Sequence, residues 1–270
     1  MKRVTFLLIA FTVIAMISCT QTSDQGLSAV SENETTQTDY FQLQIFSYET
    51  VEQEAMLDAY FQDALLPALH RSGINNVGVF KPIDGLNERT GFLLVLTPFQ
   101  SLKQFEQLPE LLLEDAGYQQ SAQAYIDAPH DNPPYTRIES MILRSFSATP
   151  KMALPELTSP RPERVYELRS YEGATEKLYK LKVEMFNEGE SVLFQDLKFN
   201  PVFFCEVLSS AHMPHLMYMT THADTTAQKA NWDAFVSHPE WDRMKNLDRY
   251  QNTVSGMTKY LLYPTEYSDY

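Results

Sequence analysis

A proline-rich segment, SATPKMALPELTSPRPE at residues 147–163, divides the chain, and the same order of elements is written on either side of it. Pro150, Pro155, Pro160 and Pro162 hold this stretch extended and keep it out of helices and inner strands. Before it, YFQLQIFSY (40–48) alternates as a strand does. Residues 52–71 set Leu57, Phe61, Ala64, Leu65 and Ala68 on one helical face, with Pro67 as a kink and Gly73 as the stop. Strands are predicted at 76–82 and 90–99, a helix over 101–126 interrupted near Pro109, and a closing strand at 137–146. After the divide, strands are predicted at 164–172, 200–207, 214–222 and 256–264. Helices are predicted over 174–198, with a weak point at Asn187-Glu188-Gly189, and over 224–250, interrupted at HPEW (238–241).

Both halves therefore read β-α-β-β-α-β. Leu43 to Phe80 spans 37 residues and Leu168 to Phe204 spans 36. LPELLLEDAGY (108–118) and HPEWDRMKNLDRY (238–250) each carry a Pro-Glu pair inside the second helical segment, with a tyrosine following. The order is that of a ferredoxin-like split unit, whose sheet has helices on one face only. The bare face needs cover, and two units in one chain can supply it to each other. The expected fold class is α+β: two ferredoxin-like β-α-β-β-α-β repeats, at 40–146 and 164–270, packed as an intrachain dimeric α/β-barrel.

The chain opens with Lys2 and Arg3, a short apolar run from Val4 to Ile17, and Ser18-Cys19. That run is too short to span a bilayer, which takes about 20 residues, and it reads as a signal peptide over 1–18. Met16-Ile17-Ser18-Cys19 resembles a bacterial lipobox, which implies an acylated Cys19 as the mature N-terminus. Residues 19–39 are polar and poor in aliphatic side chains, the composition of a disordered tether. The expected address is exported and lipid-anchored to a bacterial cell envelope, on the periplasmic or outer-membrane side. Cys205, the other of two cysteines, sits in the apolar run NPVFFCEV and reads as a buried, inert thiol.

A net charge of −14 leaves no basic face for nucleic acid. With nine glycines and no Gly-rich phosphate loop, nucleophile elbow or usable Cys–His pair, the common phosphate-binding and hydrolytic motifs are absent.

ERVYELRSYEG (163–173), PVFFCEVL (201–208), MPHLMYM (213–219), WDAFVSHPEW (232–241) and YLLYPTEY (260–267) together resemble the NIPSNAP family from about Arg164 to Tyr267. Residues 40–146 resemble a diverged copy, and the whole resembles a tandem NIPSNAP-domain lipoprotein. The resemblance implies a dimeric α/β-barrel of the ferredoxin-like superfamily. It implies no agreed reaction, cofactor or catalytic set.

If the helices take the Leu43 and Leu168 faces, the barrel interior receives Gln42, Gln44, Glu167, Arg169 and Tyr171, with Glu206 near the same cavity as a proton acceptor. A buried Glu–Arg pair is costly unless hydrogen-bonded, and a cavity for a polar ligand would justify it. A purely structural ion pair or a wet sheet edge is the competing account of Glu167 and Arg169, and a solvated strand end that of Glu206. His212, His215 and His222 lie among Met213, Met217 and Met219, but His222 is about 20 Å along the strand from the other two at about 3.3 Å per residue. No metal site and no cofactor are expected. HPEW reads as a helix restart with Pro239 in the first turn. Three functions remain open: a module binding a small organic ligand in the inter-sheet cavity, an oxygenase- or isomerase-like enzyme using Glu167, Glu206 or His212, and a platform for an envelope partner. Self-association into a homo-oligomer is compatible with each.

Overall fold

The computed structural model describes residues 37–270, and none of the described helices is long and apolar enough to cross a membrane. The signal peptide, Cys19 and the tether up to residue 36 lie outside the described residues. Asp39, at the tether's expected end, is fastened to the linker. Its backbone N–H donates to the Pro150 carbonyl at 2.9 Å, and its carboxylate accepts from Lys151 Nζ at 2.8 Å and the Met152 N–H at 3.0 Å.

Eight strands close into one barrel: β1 (Tyr40–Ser47), β2 (Gly78–Pro82), β3 (Phe92–Phe99), β4 (Arg137–Ser145), β5 (Val165–Glu172), β6 (Phe203–Ser209), β7 (His215–His222) and β8 (Gly256–Pro264). Their order around the barrel is β1-β3-β2-β8-β5-β7-β6-β4. Each half contributes the same arrangement, β4-β1-β3-β2 and β8-β5-β7-β6. Two antiparallel seams join the halves. One pairs Phe80, Lys81 and Pro82 with Pro264, Tyr263 and Leu262. The other joins β4 to β6 and is interrupted by a bulge between Ile142 and Leu143.

In the first half, α1 (Val51–Tyr60) runs through a π-helical turn at Phe61–Leu65 into α2 (Leu66–Arg71). In the second half, α6 (Glu176–Met185) runs through a π-helical turn at Phe186–Glu190 into α7 (Ser191–Asp196). The two π turns, starting at 61 and 186, stand 125 residues apart, as do the caps. Thr50 Oγ1 accepts from the Gln53 N–H, and Thr175 Oγ1 accepts from the Leu178 N–H. Such a cap contributes about 1 kcal/mol. Gly73, with φ +77°, ends α2 in the left-handed conformation that glycine adopts without penalty.

The second helical layers are α3 (Leu102–Glu114), α4 (Ala116–Ser121) and α5 (Gln123–Ile126) in the first half, and α8 (Thr225–Ser237) and α9 (Pro239–Lys245) in the second. The expected break at Pro109 does not occur, because α3 carries Pro109 inside it. No residue of α3 is fully buried, so water can serve the carbonyl that proline leaves unpaired. The break falls at Asp115, whose carboxylate accepts from the Tyr118 N–H at 2.8 Å. Its counterpart is His238, whose Nδ1 accepts from the Glu240 N–H at 3.2 Å with Pro239 opening the helix. The two Pro-Glu pairs are thus not structural equivalents.

Strand faces alternate between the lumen and the helices. Phe41, Leu43, Ile45, Leu94, Leu96, Tyr166, Leu168, Cys205, Met217 and Met219 belong to one buried cluster that fills the lumen. Phe46, Leu93 and Val95 pack under the helices of the first half, and Phe204, Leu216 and Tyr218 under those of the second. The face assignment made from sequence is therefore inverted. Leu43 and Leu168 point into the lumen, while Glu167, Arg169 and Tyr171 face the helices. Phe80 shares the lumen with Cys205, not Phe204, so the 37-residue spacing holds in both halves and the 36-residue match was one strand position off.

The linker straps one end of the barrel. Ala153 N–H donates to the Val202 carbonyl at 3.0 Å, and Arg161 Nη1 donates to the carbonyls of Thr265, Glu266 and Ser268 at 2.9, 3.1 and 2.7 Å. Met152 and Leu157 pack against the lumen cluster.

Phe80 sits at a seam, with its ring 4.9 Å from Tyr166 and 5.5 Å from Tyr270. Phe80→Ala is expected to cost about 3–5 kcal/mol through the lost transfer energy and the cavity it leaves. In urea titrations the midpoint should fall with an unchanged slope. An unshifted midpoint would mean that the seam does not hold the halves together.

Candidate functional site

β5 carries Glu167, Arg169 and Tyr171 at alternate positions on its outer face, under α8. Glu167 is fully buried and fully partnered. One carboxylate oxygen accepts from Arg169 Nε at 2.6 Å, and the other accepts from Gln228 Nε2 and Trp232 Nε1, each at 2.7 Å. Burial works to raise this carboxyl, but Arg169 and the two neutral donors outweigh it and hold it below the usual carboxylate range. The Arg169 guanidinium carbon lies over the Trp232 ring, 3.8 Å from its centre. Its Nη1 donates to the Tyr171 hydroxyl at 3.3 Å, and that hydroxyl is 2.7 Å from the Tyr218 hydroxyl on β7. Burial pushes Tyr218 well above its ordinary value, and the nearby Tyr171 adds to the shift.

A second buried pair lies across the helices. Lys182 Nζ on α6 is 2.6 Å from the Glu190 carboxylate at the end of the π turn, with side-chain exposures of 6% and 2%. The ammonium also faces the rings of Phe186 at 4.8 Å, Trp241 at 5.5 Å and Tyr171 at 5.6 Å. Burial raises the Glu190 carboxyl above its ordinary range, and Lys182 only partly offsets this. His222 packs its ring 3.9 Å from Glu167, and burial lowers it to about 4, so it is neutral at physiological pH.

Part of this set lines an open cleft of about 520 Å³ between the outer face of the second sheet and its helices. Arg169, Lys182, Glu190 and Tyr171 form its polar floor, and Trp232 and Trp241 its walls. Val236, Val254 and Met257 form an exposed apolar rim. Arg169 Nη2 makes no hydrogen bond among the described residues, which leaves one guanidinium edge for an oxygen of a ligand. A second cleft, of about 350 Å³, runs beside the linker at Thr149–Glu156 and β6, and no buried charge lines it.

The first half shows what the fold requires at the same places. At the 125-residue offset, Glu167 corresponds to Gln42, Arg169 to Gln44, Tyr171 to Phe46, Lys182 to Leu57 and Glu190 to Leu65. Leu57 and Leu65 are buried in an apolar cluster there. The architecture thus forms without either ion pair, and the charges of the second half are an addition whose desolvation costs several kcal/mol per ion.

Of the residues expected at the site, only Glu167, Arg169 and Tyr171 come together. Gln42 and Gln44 lie half-buried on the outer face of the other half, where Gln42 Nε2 donates to Ser140 Oγ at 3.0 Å. Glu206 sits near the barrel end with Arg144 at 3.4 Å, and it accepts from the Tyr179 hydroxyl at 3.3 Å. His212 lies outside the cleft, and His215 is hydrogen-bonded between Ser170 and Ser210, each at 2.7 Å. No group of three or more metal-ligating side chains occurs among the described residues. Lys182, Glu190 and Gln228 were not singled out from sequence, and Trp232 and Trp241 entered only through the WDAFVSHPEW motif, not as site residues. Two signals were there: both of the chain's tryptophans line this one cleft, and Lys182 falls on the helix face of Leu178 and Met185.

Fold and cleft together define a closed α/β barrel in one chain, with a helix-covered cleft in its second half. Residues 166–269 match the NIPSNAP family model. No curated protein matches the chain. Among solved structures, a candidate monooxygenase from Fusobacterium nucleatum is similar with a TM-score of 0.56 at 7% identity, over 85% of this chain and 93% of that one. A candidate monooxygenase from Lactobacillus acidophilus gives 0.54 at 10%, over 84% and 94%. An anthrone oxidase-like protein gives 0.52 at 12%, over 86% and 93%. At these identities the likeness carries the fold alone.

Replacing the pair by its first-half counterparts, Lys182→Leu with Glu190→Leu, is expected to leave stability within about 1 kcal/mol of wild type or to raise it, whereas Lys182→Leu alone should lose about 3–5 kcal/mol. Chemical denaturation of the three proteins measures both. A double variant as unstable as the single would make the pair a requirement of the fold.

Proposed function

We propose that the NIPSNAP domain binds a small, largely apolar organic molecule bearing an anionic oxygen, in the cleft between its sheet and its helices. The observation that carries this reading is the placement of two buried ion pairs at the floor of an aromatic cleft in one half only. Arg169 is preorganised for a carboxylate or similar oxygen by Glu167 and Trp232, and the tryptophan walls and apolar rim suit a hydrocarbon body. The lumen, where the alternation of the first strands had put the ligand, is filled with side chains, so the binding site moves outward by one layer.

An enzyme acting on the same ligand is a second reading. The hydrogen-bonded run Arg169–Tyr171–Tyr218 favours it, since a phenol beside a guanidinium can pass a proton to a bound oxygen. Similarity to proteins named for oxygenase or oxidase chemistry is consistent with this reading but supplies no residue for it.

We also read the two halves as repeats of one ancestral unit, packed as a dimeric barrel within one chain. The shared strand order, the caps and the π turns at one offset support this. The basic start, apolar run and Cys19 support export and lipid anchoring to a bacterial envelope, with the acyl chains as the contact to membrane.

Medium-chain and aromatic carboxylates should raise the melting temperature, in line with about 2.7 kcal/mol of stabilisation at a hundredfold excess over Kd. Met257→Trp, at the exposed rim, should weaken that binding at least about tenfold without changing the melting temperature of the free protein. Full binding by the plugged variant would remove the cleft from consideration.

For the anchor, cells expressing the full chain and fed labelled palmitate should label the wild type and not Cys19→Ser, which should leave the detergent phase. Equal labelling of the two would refute acylation at Cys19.

A further inference from the structure

We propose that Lys182 forms an imine with the carbonyl carbon of an apolar oxo acid held in the cleft. The proposal rests on the binding reading above and adds a covalent step to it.

Lys182 and Arg169 flank the same side chain. Arg169 Nη1 donates to the Tyr171 hydroxyl, and Lys182 Nζ lies 5.6 Å from the centre of that ring. A carboxylate on Arg169 therefore places the next few atoms of a ligand toward Lys182, the arrangement that an oxo acid fills. The amine is buried against Phe186 and Trp241, which limits its contact with water. Glu190, 2.6 Å away, is its only carboxylate partner among the described residues. Moving one proton across that hydrogen bond cancels two buried charges and frees the nitrogen lone pair. Burial already raises the Glu190 carboxyl, which favours this transfer.

The step balances without a further reactant. The lone pair of Lys182 attacks the carbonyl carbon, the C–N bond forms and the C=O π bond breaks. Glu190 gives its proton to the oxygen and takes one from nitrogen, which leaves a carbinolamine. It then protonates the hydroxyl, the C–O bond breaks, and water leaves as the C=N bond forms. The product is an iminium beside the Glu190 carboxylate, an ion pair like the original. Nothing is oxidised or reduced.

The first half again supplies the control. Leu57 and Leu65 stand where Lys182 and Glu190 stand, so the double variant Lys182→Leu/Glu190→Leu keeps a packing the fold already uses.

The full chain is incubated with 2-oxooctanoate or phenylpyruvate and sodium cyanoborohydride, then analysed by intact mass and peptide mapping. Binding is followed separately by thermal shift. The expected result is one reduced adduct on Lys182, at least about tenfold above that on the exposed Lys229, suppressed by excess octanoate and absent from the folded double variant. Binding of the oxo acid with reduction only at exposed lysines overturns the imine and leaves the binding reading standing. Neither binding nor an adduct at Lys182 overturns both.

Discussion

A four-stranded sheet with helices on one side has a second side that must be kept from water. Here that side carries Phe41, Leu43 and Ile45 on one strand and Tyr166 and Leu168 on its counterpart, all nearly or fully inaccessible. At about 25 cal/mol per Å² of apolar surface, exposing such a face would cancel the whole margin by which a domain is stable. Neither half can therefore stand alone as it is built. Closure through the β2–β8 and β4–β6 seams buries both faces in one lumen and removes every free strand edge at the same time. The linker that joins the halves also straps the barrel end and holds the C-terminal segment through Arg161.

Closure decides where a ligand can go. A lumen that supplies hydrophobic stabilisation has to be packed, so the polar groups of the inner strands are displaced to the layer between sheet and helices. There, the helix α8 brings Gln228 and Trp232 down on Glu167, and α6 with its π turn sets Lys182 against Glu190. Each charge is tolerated because every strong acceptor finds a donor. Glu167 has three, and its carboxyl stays ionised in a place where burial alone would protonate it.

The order of elements was open to reading because its signals are local: strand alternation, helical faces, the proline divide and the mid-helix weak point at Asn187-Glu188-Gly189 all follow from local chemistry. The sidedness of the strands was not. In a barrel covered by helices, both faces of a strand are buried, and Leu43 and Gln44 differ only in which buried layer they enter. The chain itself gives no local cue for that choice. The pairing of Lys182 with Glu190 was equally hidden, because it depends on the extra residue of a π turn. Aligning Phe61–Leu65 with Phe186–Glu190 reveals it at once, since leucines stand opposite charges. The misplaced break at Pro109 has the opposite cause: a strong local signal was overridden because α3 lies on the surface and can spare one hydrogen bond.

The asymmetry between the halves follows from the same accounting of burial. Desolvated charges and an open aromatic cleft both subtract from stability, and a single four-stranded half has little to lose. In this chain the first half carries the apolar version of the same positions, with Leu57, Leu65 and Phe46 in place of Lys182, Glu190 and Tyr171, and it folds against the other half across a shared lumen. Stability gained in one half is thereby available to the other through the seams. A site too costly for one unit to hold becomes affordable when its partner is built only to pack.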